Sequence, residues 1–197
     1  MRNVLGRASV AFGAVALAAG LVATSSVAAS AATHVTHVAK PGVEKVAVRM
    51  RVVRIDAAVA RAHGYVVRTD SHGREYTVKA GSKSGPTPND TLYGNCGWSW
   101  MWEWGVGNRA ATVETGFHVY TPAVAYYWQY WMEDNGGESS HTFAGGLAFR
   151  TDWGTINTWP GLTPGPAYAW VQTTSDAILD NGDVCSSAGP DDSTTIY

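Results

Sequence analysis

The sequence predicts a mainly β protein, a disulfide-stapled antiparallel β-sandwich preceded by a small helix-plus-hairpin segment. Three observations point there. Apolar and polar residues alternate with period two from Thr91 onward. Gly, Pro and Asn turns interrupt that pattern roughly every ten residues, the spacing of short strands in sandwiches and barrels. Two cysteines, Cys96 and Cys185, stand near the two ends of the same region. Of the 197 residues, 45% are hydrophobic and 15% charged, against about 25% charged in ordinary soluble domains. With a net charge of −2, this composition excludes a charged disordered tail, a coiled coil and a strongly basic nucleic-acid binder. No nucleic-acid partner is expected.

At the amino terminus, Arg2 and Arg7 precede an Ala/Val-rich apolar stretch from Ala8 to Val22, and Ala29-Ser30-Ala31 supplies small residues at a cleavage site. Residues 1–31 therefore read as a signal peptide cut before Ala32. Polar Thr24, Ser25 and Ser26 end the apolar stretch short of the ~20 residues that a membrane span needs. A secreted, extracellular protein is expected, with no membrane attachment after removal of the signal.

The remainder divides by charge. Residues 33–88 hold ten Lys/Arg and four Asp/Glu, whereas residues 89–197 hold two Lys/Arg and twelve Asp/Glu. All nine Trp lie in the acidic part. Residues 32–45 lack periodicity and read as a flexible leader. In residues 46–80, Asp56 is placed to cap a helix over Ala57–Ala62 with Gly64 at its end. Tyr65–Arg68 and Glu75–Val78 read as a hairpin around Asp70-Ser71-His72-Gly73. A unit this small does not bury enough surface to stand alone. It is expected either to dock on the acidic domain by charge attraction, as an integral subdomain or a pro-segment removed after export, or to stay loose as a flexible basic spacer that touches nothing or grips anionic wall polymer. Residues 81–89, with Gly85, Pro86 and Pro88, read as a linker to a β-sandwich domain at 90–197.

Within that domain, Trp98, Trp100, Trp102 and Trp104 share one strand face, with Ser99, Met101 and Glu103 opposite. Ala111, Val113, Thr115, Phe117 and Val119 share the next apolar face, opposite Thr112, Glu114 and His118. Thr121-Pro122 breaks this run. Val124–Glu133 follows, with Tyr126, Trp128 and Tyr130 on one face and Tyr127 and Trp131 on the other. Further strands are expected at Thr142–Asp152, Thr155–Trp159 and Ala167–Thr173. Asn181-Gly182 reads as a type I′ hairpin turn between Ala177–Leu179 and Val184-Cys185, and Ser193–Ile196 closes an edge.

Cys96 and Cys185 are expected to form one disulfide in an exported chain. No nucleophile elbow, zinc-binding His-Glu-x-x-His helix or phosphate-binding glycine loop occurs. A Ser-His-Asp site can be drawn from Ser139 or Ser140, His141 and Asp152, but such triads depend on spatial geometry. Paired carboxylates suit glycoside hydrolysis when they face each other about 5–9 Å apart across a cleft. Glu103, Glu114 and Glu133 are the strand glutamates available, each expected on the less apolar face. Asp180-Asn181-Gly182-Asp183, Glu133-Asp134-Asn135 and Asp191-Asp192 offer oxygen donors for calcium, although turns collect these residues for backbone reasons alone. No cofactor or other metal is expected.

The aromatic excess is the strongest functional signal. Tyr127, Trp131, Tyr168 and Trp170 occupy positions where a two-layer sandwich would show polar residues. Gln129, Gln172, Asn157 and Asp152 can supply polar partners. Exposed rings bordered by hydrogen-bonding groups suit the apolar faces and hydroxyls of sugars. The Ala/Val-rich leader, Asn95-Cys96-Gly97, Asp180-Asn181-Gly182-Asp183-Val184-Cys185 and Gly189-Pro190-Asp191-Asp192 together make residues 90–197 resemble small exported actinobacterial proteins with one Cys pair. That resemblance implies location and fold class, and no activity. The functional expectation is a secreted non-enzymatic binding module that takes a polysaccharide or cell-wall polymer through Tyr127, Gln129, Trp131, Tyr168 and Trp170. A glycoside-acting enzyme using two of the three glutamates, or a structural or inhibitory protein-binding protein, is the alternative.

Overall fold

The computed structural model describes residues 39–40, 43–44, 46–83 and 95–197. The expected signal peptide and most of the expected leader and linker lie outside these. The described residues form twelve strands and one short helix.

Five strands close into a barrel: β3 (Val46–Ile55), β6 (Asn95–Gly107), β7 (Ala110–Asp134), β10 (Asp176–Leu179) and β11 (Asp183–Ser186). All neighbours are antiparallel, in the circuit β3–β6–β7–β10–β11 and back to β3. Closure is possible because β7 is used twice. Its first part, to Val119, pairs with β6, and Ala123–Tyr127 pairs with β10. Between the two the register slips, around Thr121-Pro122, where proline is tolerated because a bulge needs no ladder hydrogen bond from it. The slip exchanges the two faces. Val113, Thr115, Phe117 and Val119 point inward before it; Trp128, Tyr130 and Met132 do so after it.

β8 (Gly137–Trp159) follows the other edge of β7 along most of its length. It turns the same corner at Ala148 and Phe149, whose φ values of 47° and 64° are uncommon for residues with a Cβ. The breaks expected in the 111–133 and 142–159 regions are therefore bends within two long strands. β9 (Gly165–Val171) pairs with Tyr130–Glu133 of β7, and β12 (Asp191–Ile196) pairs with β9. The structure is mainly β with one disulfide, as expected. Its core, however, is a single sheet closed on itself with extra strands, and the pairing does not describe two stacked sheets.

The basic segment is not a separate helix-hairpin unit, because its first ten residues are barrel strand β3. Met50 and Val52 are fully buried between β6 and β11. Alternation of Val, Met and Arg over Val46–Ile55 carried this strand signal. Beyond it, α1 (Ala57–Ala62) is capped by Asp56, whose carboxylate accepts from Ala58 N (3.0 Å) and Val59 N (3.1 Å). β4 (Tyr65–Thr69) and β5 (Glu75–Lys79) form the expected hairpin, its turn tied by Asp70 to the His72 and Arg74 amides. Two-residue strands β1 (Ala39–Lys40) and β2 (Val43–Glu44) pair within the expected leader.

The Asn181-Gly182 turn differs from expectation. Gly182 has φ 91°, but Asn181 does not have positive φ, so that turn is not type I′. The Gly182 amide instead donates to Leu179 O (2.9 Å), a type I turn ending in a left-handed glycine. A Cβ at Gly182 would stand 2.6 Å from Asp56 O and 2.7 Å from Ala60 Cβ, so the close approach of α1 also requires glycine. The type I′ geometry belongs to Asn108-Arg109, at φ 52° and 57°, joining β6 to β7.

Cys96 and Cys185 are joined, 89 residues apart in sequence. They link β6 to β11, the two neighbours of β3, and so clamp the barrel around the strand furthest in sequence from its partners. In the chain-entropy view a loop of that length is worth roughly 4–5 kcal/mol. Urea unfolding of a Cys96→Ser/Cys185→Ser variant should show a loss of that size. Met50→Ala should cost about 2–5 kcal/mol, the range for a truncated core side chain. Val53→Ala, at a half-exposed site on the same strand, should change the midpoint little. Equal midpoints for Met50→Ala and the parent protein would mean that β3 is dispensable.

Candidate functional site

Past the bend, the odd-numbered residues of β7 face outward: Tyr127, Gln129, Trp131 and Glu133. Pairing then assembles their neighbours. On β9, Trp170 lies opposite Trp131 and Tyr168 opposite Glu133. On β8, Ser140 lies opposite Trp131, Thr142 opposite Gln129 and Glu138 opposite Glu133. On β12, Asp191 lies opposite Trp170 and Ser193 opposite Tyr168. Side chains opposite one another in a ladder share a face, so this is one continuous outer surface across four strands.

Its centre is a group of nearly parallel rings. The Trp131 and Trp170 rings are 6.3 Å apart at 10°, and the Trp170 and Tyr168 rings 5.3 Å apart at 26°. Tyr168 is 40% and Tyr127 39% exposed, and both tryptophans are half-buried. The Gln172 amide oxygen, turned as the two indole N–H donors require, accepts from Trp131 Nε1 (2.8 Å) and Trp170 Nε1 (3.2 Å). One amide thus fixes both indoles side by side. Burial, then the hydrogen bond and charge of Asp191, push the Tyr168 hydroxyl up to about 12, so it remains a neutral donor.

The five sequence-predicted contact residues are therefore brought onto one face. Two of the four polar residues expected to serve them are not. Asn157 lies on the opposite side of β8, where it donates to Thr155 Oγ1, and Asp152 belongs to a different cluster. The pinning role of Gln172 depends on where β9 ends beside β7, which alternation alone does not fix.

The glutamates do not form a pair across a cleft. Glu103 was expected on the solvent side of its strand, but it points inward and is 5% exposed. Glu114 lies on the outer face of β7 before the bend, opposite Trp102. Glu133 lies at the far end of β7, beyond the bend. Glu103 and Glu114 thus sit on opposite sides of the sheet. The Ser-His-Asp constellation is not assembled either. His141 faces inward, with Nδ1 3.2 Å from the Tyr130 hydroxyl, whereas Asp152 faces outward against His118.

The candidate calcium turns are occupied by internal bonds. Asp134 accepts from Gly136 N (2.7 Å) and Thr163 N (2.6 Å), and Asn181 and Asp183 bond each other. Asp192 accepts from Glu103 N and Ser193 N. Among the described residues, no group of three or more His, Cys, Asp or Glu is placed to hold a metal ion. None of the described helices is long and apolar enough to cross a membrane. The β7–β8 turn and residues 159–163 enclose a shallow pocket of about 300 Å³, lined by Trp159, Asp134, Glu138 and Ser139 among others.

A second outer cluster was not foreseen. Trp98 stacks on His118 at 4.1 Å and 28°, and Tyr120 lies 6.0 Å from Trp98. His118 Nδ1 is 2.6 Å from Asp152 Oδ1, and the Thr151 hydroxyl donates to Asp152 Oδ2 (2.7 Å). Those bonds, that from Thr151 foremost, hold the Asp152 carboxyl below its usual range. No spacing in the sequence announces this cluster; the registers of β6 and of β8 on β7 create it.

Comparison with known proteins adds no relative: no family model, curated protein or solved structure matches this chain.

Glu103 gives the site region a pH signature. Burial first, and the charge of Asp192 second, push its carboxyl from 4.5 up to about 8. The Ala169 amide opposes this without completing a hydrogen bond. A raised folded-state value means that folding favours the protonated acid. The stabilisation is full below pH 4.5 and is lost as pH rises through about 8. Urea midpoints should therefore fall between pH 5 and pH 8.5, and Glu103→Gln should flatten that fall. An unchanged slope in the variant would assign the dependence to other groups.

Proposed function

We propose that this is a secreted, extracellular binding module without catalytic function, and that it takes a polysaccharide or cell-wall polymer on the outer face of β7 and β9. The observation that carries the reading is the set of three nearly parallel rings, Trp131 and Trp170 pinned by Gln172 with Tyr168 stacked beside them, all left partly open. Large rings held in place lose little side-chain entropy on contact with a ligand. Their apolar faces suit the C–H faces of pyranose rings, and Gln129, Ser140, Thr142 and Ser193 at the border suit the hydroxyls. Glu133, Glu138 and Asp191 lie in the same border, which favours an uncharged polymer over an anionic one. Two further features agree with export: the signal-like residues 1–31 and the disulfide. The glycoside-acting alternative has less support, because Glu103 and Glu114 lie on opposite sides of the sheet.

Co-sedimentation with insoluble neutral polysaccharides and cell-wall preparations tests the reading. The mature oxidised chain should show saturable retention. Trp131→Ala and Trp170→Ala should each weaken it tenfold or more, a loss of about 1.4 kcal/mol, with unfolding midpoints close to the parent. Retention that survives both substitutions, or no retention on any polymer, would overturn the proposal.

A further inference from the structure

The outer side of β3, β6, β7 and β8 carries another aromatic group, before the β7 bend, and two exposed arginines flank it. Across the sheet, one row runs Arg49 on β3, Trp98 on β6, His118 on β7 and Asp152 on β8, each opposite the next in its ladder. Arg51 lies beside it, opposite Asn95. Arg49 and Arg51 are exposed, Trp98 is 39% exposed and Tyr120 51% exposed. Asn95 Nδ2 donates to the Tyr120 hydroxyl (3.3 Å), which holds Tyr120 beside the Trp98–His118 stack. The carboxylate in the row, Asp152, is engaged by His118 and by the Thr151 hydroxyl. Glu114 stands further along β7, beyond Gly116 and beside Trp102.

We infer that this surface is a second binding site, distinct from the Trp131 face, for an acidic polysaccharide whose sugar rings bear carboxylates. Charge complementarity selects the sign. Two exposed guanidiniums on neighbouring outward positions can each take a carboxylate through paired N–H donors. They stand out in an otherwise acidic domain, which has only Arg109 and Arg150 as its own cations from residue 89 onward. Exposed Trp98 and Tyr120 select the sugar, because a polyanion without rings has nothing to place on them. The two faces then differ in kind: the Trp131 face has acids in its border and the Trp98 face has arginines. A protein with both can join an uncharged polymer to an acidic one.

The inference does not depend on the Trp131 face. The test is titration of the full mature chain with short oligogalacturonate in calorimetry, at low and at physiological salt. Binding should be measurable and should weaken as salt rises. Arg49→Glu/Arg51→Glu should weaken it at least tenfold and Trp98→Ala at least threefold, with circular dichroism and urea midpoints unchanged. Trp131→Ala should leave it unaffected, and so should Arg61→Glu/Arg68→Glu, an equal charge reversal elsewhere in the basic segment. Four outcomes would overturn the inference: no binding; an equal loss in the Arg61/Arg68 variant; a loss in Trp131→Ala as large as that in Trp98→Ala; or equally tight binding of poly(glycerol phosphate) or single-stranded DNA, which would mean charge attraction without sugar recognition.

Discussion

The bend in β7 is the constraint on which the rest of the molecule depends. A straight strand of that length would pair with one neighbour along each edge and leave an open sheet. Because the register slips near Thr121-Pro122, one edge of β7 pairs first with β6 and then with β10. The chain returns through β11 and β3 to β6, and the barrel closes. Closure pairs β3, β10 and β11 on both sides, so these strands present no free edge to other chains. The same slip exchanges inward and outward positions. Without it, Tyr127 and Trp131 would share the face of Phe117 and compete for the core; with it they stand outside while Trp128 and Tyr130 fill the interior.

Barrel size explains why the most apolar face of β6 looks outward. The interior of a closed sheet narrows as the number of strands falls, and a five-stranded barrel has little room for four indoles in a row. Ser99, Met101 and Glu103 point inward instead. Ser99 bonds Ser187 across the interior at 3.1 Å, and Met101 packs in the core. Glu103 is the costly member of that set, since its carboxyl is buried near Asp192 and favours the protonated form. Its strand needs β12 alongside: the Glu103 amide donates to Asp192 Oδ2 and the Gly105 amide to Thr194 Oγ1. Side chains of β12 thus satisfy a stretch of β6 that β3 does not reach.

Both outer aromatic groups are products of strand pairing. Trp131 meets Trp170 because β9 docks on the last residues of β7, and Trp98 meets His118 because the Asn108-Arg109 turn sets the register of β6 on β7. Each group is held by polar side chains rather than by burial alone: Gln172 holds the two indoles, and Asp152 and Asn95 hold His118 and Tyr120. Such rings are ordered before any ligand arrives, which is the property that a rigid recognition surface requires.

Local signals were enough for what is local. Alternation identified most strands and which residues of Ala111–Val119 face the core, and the Asp56 cap located α1. The lone pair of cysteines implied their own bridge. Tertiary structure alone decided the rest. Alternation reports two faces without saying which is inside, so Glu103 was read outward. A bulge costs a single residue and leaves little trace in sequence, so β7 and β8 read as broken strands and the closed barrel as a sandwich. Val46–Ile55 read as part of a small separate unit, because its partners β6 and β11 lie far along the chain and only closure brings them to it. Which aromatic rings touch is likewise a matter of register, and register is fixed by turns and bulges acting between strands distant in sequence.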